Sequence, residues 1–299
     1  MNKWLKYYLP NFWESLLLVL IFFFVGAMLV GALLVLIPQS KEVLLSNMLL
    51  SYLLPIAPVL IYILLRGYTS HKNAQLYESL KEGEGVSAAL KAPFIKLNAP
   101  VKREEGRKCS WFTLGIILFI GTLAIGMAID PIMSEFELPD ALKKIYEKME
   151  LSNIDNLLSV VFLAPLCEEF IFRGTIQRAL CHRELPISAI FISAILFGVI
   201  HLNLVQGVGA FLIGLFIGYA YYKTHSLWVA VFLHFVNNGT SYLTVSLMPK
   251  EMSLMNMKEI LADYPNTYIL LVVSGVILTI LSVWLLYKLL PKKNSFKSI

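Results

Sequence analysis

The sequence predicts an all-α fold, a polytopic transmembrane helical bundle of about eight helices with both termini cytoplasmic, and three observations predict it. Of the 299 residues, 58% are apolar or aromatic and only 15% are charged, against about 45–50% and about 25% in ordinary globular chains. So few charges cannot cover a water-facing surface. The mean hydropathy is +0.70, which calls for lipid over most of the apolar surface. Finally, eight windows of roughly 20 mainly apolar residues follow one another, each the length a helix needs to cross about 30 Å of hydrocarbon. The same composition excludes a disordered chain, a nucleic-acid-binding domain and a disulfide scaffold.

The first window, Ser15 to Ile37, follows Lys3 and Lys6 as a signal peptide would. It is too long for one, and no small-x-small site closes it, so it reads as a retained helix. Val43 to Leu65 is the second window. The charged stretch Gly67 to Ser110 follows, reading equally as a solvated loop or as an interfacial helix laying Leu80, Leu90, Phe94 and Ile95 along the headgroups. Trp111 to Ile129 is the third. Beyond it, Asp130 to Asn156 is rich in acidic residues, with helical spacing at Asp140 to Met149 that suits a cap on the outer mouth. The fourth is Leu157 to Leu180. The fifth, Ile187 to Leu204, and the sixth, Val205 to Tyr222, nearly touch, and only a tight reversal at His201 to Gln206 separates them. Leu227 to Leu247 and Tyr268 to Leu290 complete the set.

With a cytoplasmic amino terminus, 19 of the 25 Lys and Arg fall on the inner side, which satisfies the positive-inside rule and fits an even number of spans. The chain divides into residues 1–110, two helices and a cytoplasmic loop, and 111–299, the rest of the bundle, with its core at about 157–247. Trp111 and Trp228 read as interfacial anchors, and the G-x-x-x-G pair Gly214 and Gly218 as a point of close helix packing inside the bundle. His71, His182 and His225 read as solvated. Cys109, Cys167 and Cys181 are odd in number and lack metal-type spacing; Cys167, beside the polar cluster, reads as a small apolar residue rather than a nucleophile.

Ionisable groups at membrane depth are costly, so each is a functional hypothesis. Here they cluster in three spans: Cys167-Glu168-Glu169-Phe170-Ile171-Phe172-Arg173, Phe197-Gly198-Val199-Ile200-His201 and His234-Phe235-Val236-Asn237-Asn238. Residues four apart share a helix face, so Glu169 can meet Arg173 as a structural ion pair while Glu168 points elsewhere, free for chemistry. At 1.5 Å per residue from the cytoplasmic helix ends, Glu168 and Asn238 lie about 18 Å deep, His201 about 21 Å and His234 about 12 Å. All four can therefore meet near the midplane.

One Glu, two His and one Asn suit amide hydrolysis in two ways. Glu168 with His201 can activate water while His234 and Asn238 form an oxyanion hole. Alternatively, Glu168, His201 and His234 can hold a zinc ion that acidifies the water. No H-E-x-x-H helix is present to decide for a metal.

The three patterns E-E-x-x-x-R, F-x-x-x-H and H-x-x-x-N, in this order on three helices, resemble the signature of the CPBP (ABI) intramembrane proteases, relatives of the type II CAAX prenyl endopeptidases. The resemblance covers about Leu157 to Leu247. It implies Glu168 as catalytic base, His201 as its assistant, and His234 with Asn238 as oxyanion donors, with Asn237 adjacent and off the pattern. The family implies either a metallo- or a glutamate-type endopeptidase; the metal-free form is preferred, because a carboxamide serves better as an oxyanion donor than as a zinc ligand.

The expected function is therefore an intramembrane endopeptidase in a bacterial cell membrane, in contact with lipid and acting on a membrane-bound protein or peptide, such as a peptide pheromone or a bacteriocin-like peptide. The alternatives are a catalytically dispensable scaffold or bacteriocin-immunity protein of the same fold, and a transporter using the same polar cluster, which no half-to-half similarity supports.

Overall fold

The computed structural model describes residues 10–36, 48–73, 106–146, 153–249 and 251–291, and every regular element among them is helical. Eight helices fall on the eight apolar windows. They are α1 (residues 12–36), α2 (Met48–Asn73), α3 (Trp111–Met133), α4 (residues 154–183), α5 (Pro186–Val199), α6 (Leu204–Thr224), α7 (Leu227–Leu247) and α8 (Pro265–Leu289). Short helices Asp140–Tyr146 and Met257–Ile260 lie in the connections α3 to α4 and α7 to α8.

Local chemistry starts these helices where they start. Asn11 and Glu14 form a reciprocal capping box at the head of α1, satisfying two of the backbone N–H groups a helix start leaves open. Ser110, Asn203 and Ser226 accept from backbone N–H groups at the heads of α3, α6 and α7, while proline at the first position opens α5 and α8, where its missing N–H costs nothing.

Among the described residues, four stretches are long and apolar enough to cross a membrane: Phe12–Leu33, Trp111–Met133, Leu204–Thr224 and Pro265–Leu289. The other four helices fall short for physical reasons. The apolar parts of α2 and α5 are only Leu53–Leu65 and Pro186–Val199, and α4 and α7 carry the glutamates, Arg173, His234 and the two asparagines. The residues that make the site are the ones that lower the hydropathy.

Two helix geometries depart from simple α-periodicity. In α1 the run Ile21–Gly26 is π-helical, and in α4 the runs Leu158–Leu163 and Phe170–Gln177 are π-helical on either side of the α-turn Ala164–Glu169. The Thr175 hydroxyl donates to the carbonyl of Phe170, five residues back, which follows the i to i+5 spacing of a π-turn. Such turns recur at functional sites, and here they flank both glutamates.

Small residues set the crossings. A Cβ on Gly198 of α5 would stand 2.7 Å from the Gly207 carbonyl of α6, so these backbones touch. On α8, a Cβ at Gly275 would stand 2.8 Å from the Ala124 carbonyl of α3, and on α1 a Cβ at Gly26 would come within 2.8 Å of the Pro55 carbonyl of α2. The expectation for Gly214 and Gly218 takes a more specific form, described with the site.

Several expectations need correction or bounding. The reversal between α5 and α6 occupies residues 200–203, earlier than His201 to Gln206, because α5 stops at Val199 and Leu202 turns into the left-handed region at φ 57°. With 14 residues, α5 spans about 21 Å, well short of the hydrocarbon thickness. His182 and His225 are not solvated: they are 8% and 5% exposed, because the ends of α4 and α6 pack together, with His225 in the left-handed conformation closing α6. The helix expected within Asp140 to Met149 is described over Asp140–Tyr146. Most of the loop after α2, residues 74–105, lies outside the described residues.

Candidate active site

The site is built on α4. Glu168 and Glu169 end the α-turn Ala164–Glu169, and the π-helical run begins directly after them. Arg173 Nη1 donates to Glu169 Oε1 at 3.0 Å, with both side chains fully buried. The same oxygen lies 2.8 Å from His234 Nδ1 of α7. One carboxylate oxygen thus joins a cation on its own helix to a histidine 65 positions away, and Glu169 Oε2 has no hydrogen-bond partner among the described residues.

His234 also faces the other glutamate, with Nε2 3.8 Å from Glu168 Oε2. The two carboxylates therefore meet at opposite nitrogens of one ring. Glu169 is more than the partner of Arg173, since it also holds His234. The carboxylates differ in access, because the side chain of Glu169 is 0% exposed and that of Glu168 is 11% exposed. Glu168 is the one that borders a cleft, whose other walls include Leu18 and Phe22 of α1, Ile56 and Val59 of α2, and Ile200 before His201.

Arg173 is held from three sides. Its Nη2 donates to the Gly214 carbonyl of α6 at 3.1 Å, and its guanidinium lies 4.6 Å over the ring of Phe197. A Cβ on Gly214 would come 3.2 Å from Nη2, so the glycine makes room for a side chain as well as for a helix. Gln177 repeats the arrangement one turn on, donating to the Gly218 carbonyl at 2.7 Å.

His201 sits in the turn after α5, half-buried, with Nδ1 2.9 Å from the carbonyl of Phe197. Its described hydrogen bonds reach Phe197, the Asn203 amide through its backbone carbonyl, and the Gly198 carbonyl through its backbone N–H. Phe197 brings it near the cluster, standing edge-on to His201 at 5.2 Å and to His234 at 5.5 Å between ring centroids. Asn238, one turn beyond His234 on α7, donates its amide to the Val160 carbonyl of α4 at 2.9 Å. Asn237 in turn donates to Asn238 Oδ1 at 3.1 Å.

Glu168, Glu169, Arg173 and His234 are thus in one contact group, with His201 joined to it through Phe197 and Asn238 anchored alongside. No group of three or more His, Cys, Asp or Glu side chains among the described residues is arranged to hold a metal ion. Sequence reasoning missed Phe197 and Gln177 as members of the site. Phe197 opens the F-x-x-x-H pattern without any expected role, and the match of spacing between Arg173 and Gln177 and between Gly214 and Gly218 was the available signal for Gln177.

Residues 151–240 match the family model described as Rce1-like, type II CAAX prenyl endopeptidase Rce1-like. The match is consistent with membership of the CPBP family that the motifs resemble. The matched segment is just under a third of the chain, runs from α4 into α7, and contains all six residues singled out from the sequence. It is similar to a family of membrane-embedded proteases. No curated protein and no solved structure matches the chain.

Proposed function

We propose that this protein is an intramembrane endopeptidase that hydrolyses a peptide bond in a membrane-associated protein or peptide. The observation that carries the reading is the pair of carboxylates on His234: Glu169 is fully buried and engaged with Arg173, while Glu168 borders an apolar cleft. One carboxylate is placed for support and the other for chemistry.

In this reading Glu168 takes a proton from water as the water attacks the substrate carbonyl. His201 assists: with Nδ1–H donated to the Phe197 carbonyl, its Nε2 is left as an acceptor. The oxyanion is met by His234 and Asn238. Nδ1 of His234 is turned to Glu169 and its Nε2 faces Glu168. Asn238 has a second amide hydrogen beyond the one given to Val160. Glu169 and Arg173 orient the histidine, as carboxylates orient imidazoles in many catalytic sites. The setting is a multi-pass position in a bacterial cell membrane, and the client is a peptide pheromone, a bacteriocin-like peptide or a membrane protein.

A second reading is a scaffold or immunity protein of the same fold. Its support is that His234 Nδ1 and one hydrogen of Asn238 are already used within the protein.

The Glu168→Gln variant separates the two. At matched abundance, loss of in-cell cleavage or complementation supports the endopeptidase, since the amide keeps the shape and removes the base. Full function in Glu168→Gln would overturn it in favour of the scaffold.

A further inference from the structure

A groove runs between the first turns of α3 and α7, away from the glutamates. Trp111, Gly115 and Leu118 line it from α3, and Ser226, Trp228 and Phe232 from α7. It offers about 260 Å³, where a single water needs about 10–15 Å³. Leu118 is buried at its floor, while Trp111, Trp228 and Phe232 are exposed along its rim. A Cβ on Gly115 would meet nothing within 4 Å, so the space is open where that side chain is missing. No ionisable side chain is among the lining residues, and the Ser226 hydroxyl accepts from the Val229 N–H. The groove is therefore apolar along its length.

Positive charge gathers at its mouth. The Arg107 guanidinium lies 4.6 Å over the Trp111 ring and donates to the Cys109 carbonyl, so a cation is held against one of the two indoles. Exposed Lys108 follows it in the chain. The backbone N–H of Lys108 donates to the Leu289 carbonyl at 2.8 Å, which brings Lys288, 5.8 Å over the Trp284 ring, to the same end of the bundle. We infer that the groove binds an anionic phospholipid: the phosphate pairs with Arg107 and Lys108, and one acyl chain lies along Gly115 between the two tryptophans. This goes beyond the endopeptidase reading and does not depend on it.

Level and charge both select this occupant. Trp111 is the first residue of α3 and Trp228 the second of α7, so both indoles stand at one helix end, the position at which tryptophan meets lipid headgroups. Leu118 lies seven residues further along α3, about 10 Å deeper, so a chain that starts at the phosphate is covered over that length. A guanidinium presents a planar fork of donors that matches phosphate oxygens. A headgroup that carries an ammonium beyond its phosphate would meet like charges on Lys108 and Lys288, whereas an anionic headgroup meets opposite ones.

The test incubates the full-length protein, purified in detergent, with equal amounts of dioleoylphosphatidylglycerol and dioleoylphosphatidylcholine, and reads the retained lipid by native mass spectrometry. Wild type should retain phosphatidylglycerol in preference, and Arg107→Gln should lower that retention about tenfold, the scale of one lost charge-assisted hydrogen bond. Gly115→Leu fills the groove and should lower retention of both lipids. Gly126→Leu, further along the same helix and also with nothing within 4 Å of its Cβ, should change neither. Lys108→Gln and Gly115→Leu carry the test if Arg107→Gln fails to accumulate. Equal retention of the two lipids by wild type overturns the inference, as does phosphatidylglycerol retention that neither cation variant lowers. A Gly115→Leu variant that behaves as Gly126→Leu does shows that lipid is held elsewhere, and overturns it too.

Discussion

Gln177 donates its amide to the backbone carbonyl of Gly218 at 2.7 Å, and a Cβ on that glycine would stand 2.8 Å from Gln177 Oε1. Gln177 is fully buried, so it cannot retreat without giving up the bond. Gly218→Ala should cost about 1–3 kcal/mol, the usual penalty for overpacking. Gly115→Ala, where nothing lies within 4 Å, should be neutral or stabilising by up to about 1 kcal/mol. Thermal unfolding of the two variants in one detergent checks the contrast; equal melting temperatures would remove the packing argument.

Arg173→Met leaves Glu169 buried without its cation. The expected loss is about 3–5 kcal/mol, read as reduced membrane abundance and a lower melting temperature. Adding Glu169→Gln should restore part of it, since the stranded charge is then gone. A double variant as unstable as Arg173→Met alone would show that the pair matters for shape and not for charge.

His182 lies at the end of α4, beyond the apolar window Leu157 to Leu180. Burial, then the nearby Arg178 and Arg183, push its imidazole down to about 4 from the usual 6.5. The folded protein therefore keeps His182 neutral where the unfolded chain would protonate it. Its contribution is fully present above pH about 6.5 and is lost as the pH falls toward about 4. Melting temperatures of wild type should decline across that window, and His182→Phe should flatten the decline. A wild-type curve already flat from pH 7 to 4 would contradict this placement.

Leu202 holds φ 57°, a conformation that costs a β-carbon residue about 1–2 kcal/mol and that asparagine tolerates better. Its side chain is 78% exposed, so little packing within the protein is lost on replacement. Leu202→Asn should raise stability by up to about 1 kcal/mol, measured by thermal unfolding. A drop would mean that the exposed side chain has lipid contacts worth more than the strain.

The apolar windows led to helices, and four of them proved long and apolar enough to cross a membrane, because burial in lipid imposes a length and a composition that a one-dimensional scan detects. Glu169 and Arg173 were also legible, as they are four apart on one helix. The bond from Glu169 to His234 was not, since nothing in the spacing of α4 says which face α7 presents to it. Gly218 was read as a helix contact, and its role as acceptor for Gln177 emerged only from the crossing of α4 and α6. The π-helical runs were invisible for a different reason: each is only six to eight residues long, too short for a change of period to show in the spacing of side chains.

The run Phe170–Gln177 also bears on how the chain can change in length. A π-turn accommodates an extra residue that an α-turn would not. Deleting one residue there would let the backbone relax to α geometry with Arg178, His182 and the rest of α4 held near their present facing relative to Glu168, whereas a deletion in an α-turn would swing them by about 100°. Exposed connections that carry no residue of the site can gain or lose residues with little consequence. Inside α4, deletion of a single apolar codon is therefore absorbed better in the run Phe170–Gln177 than in the α-turn Ala164–Glu169.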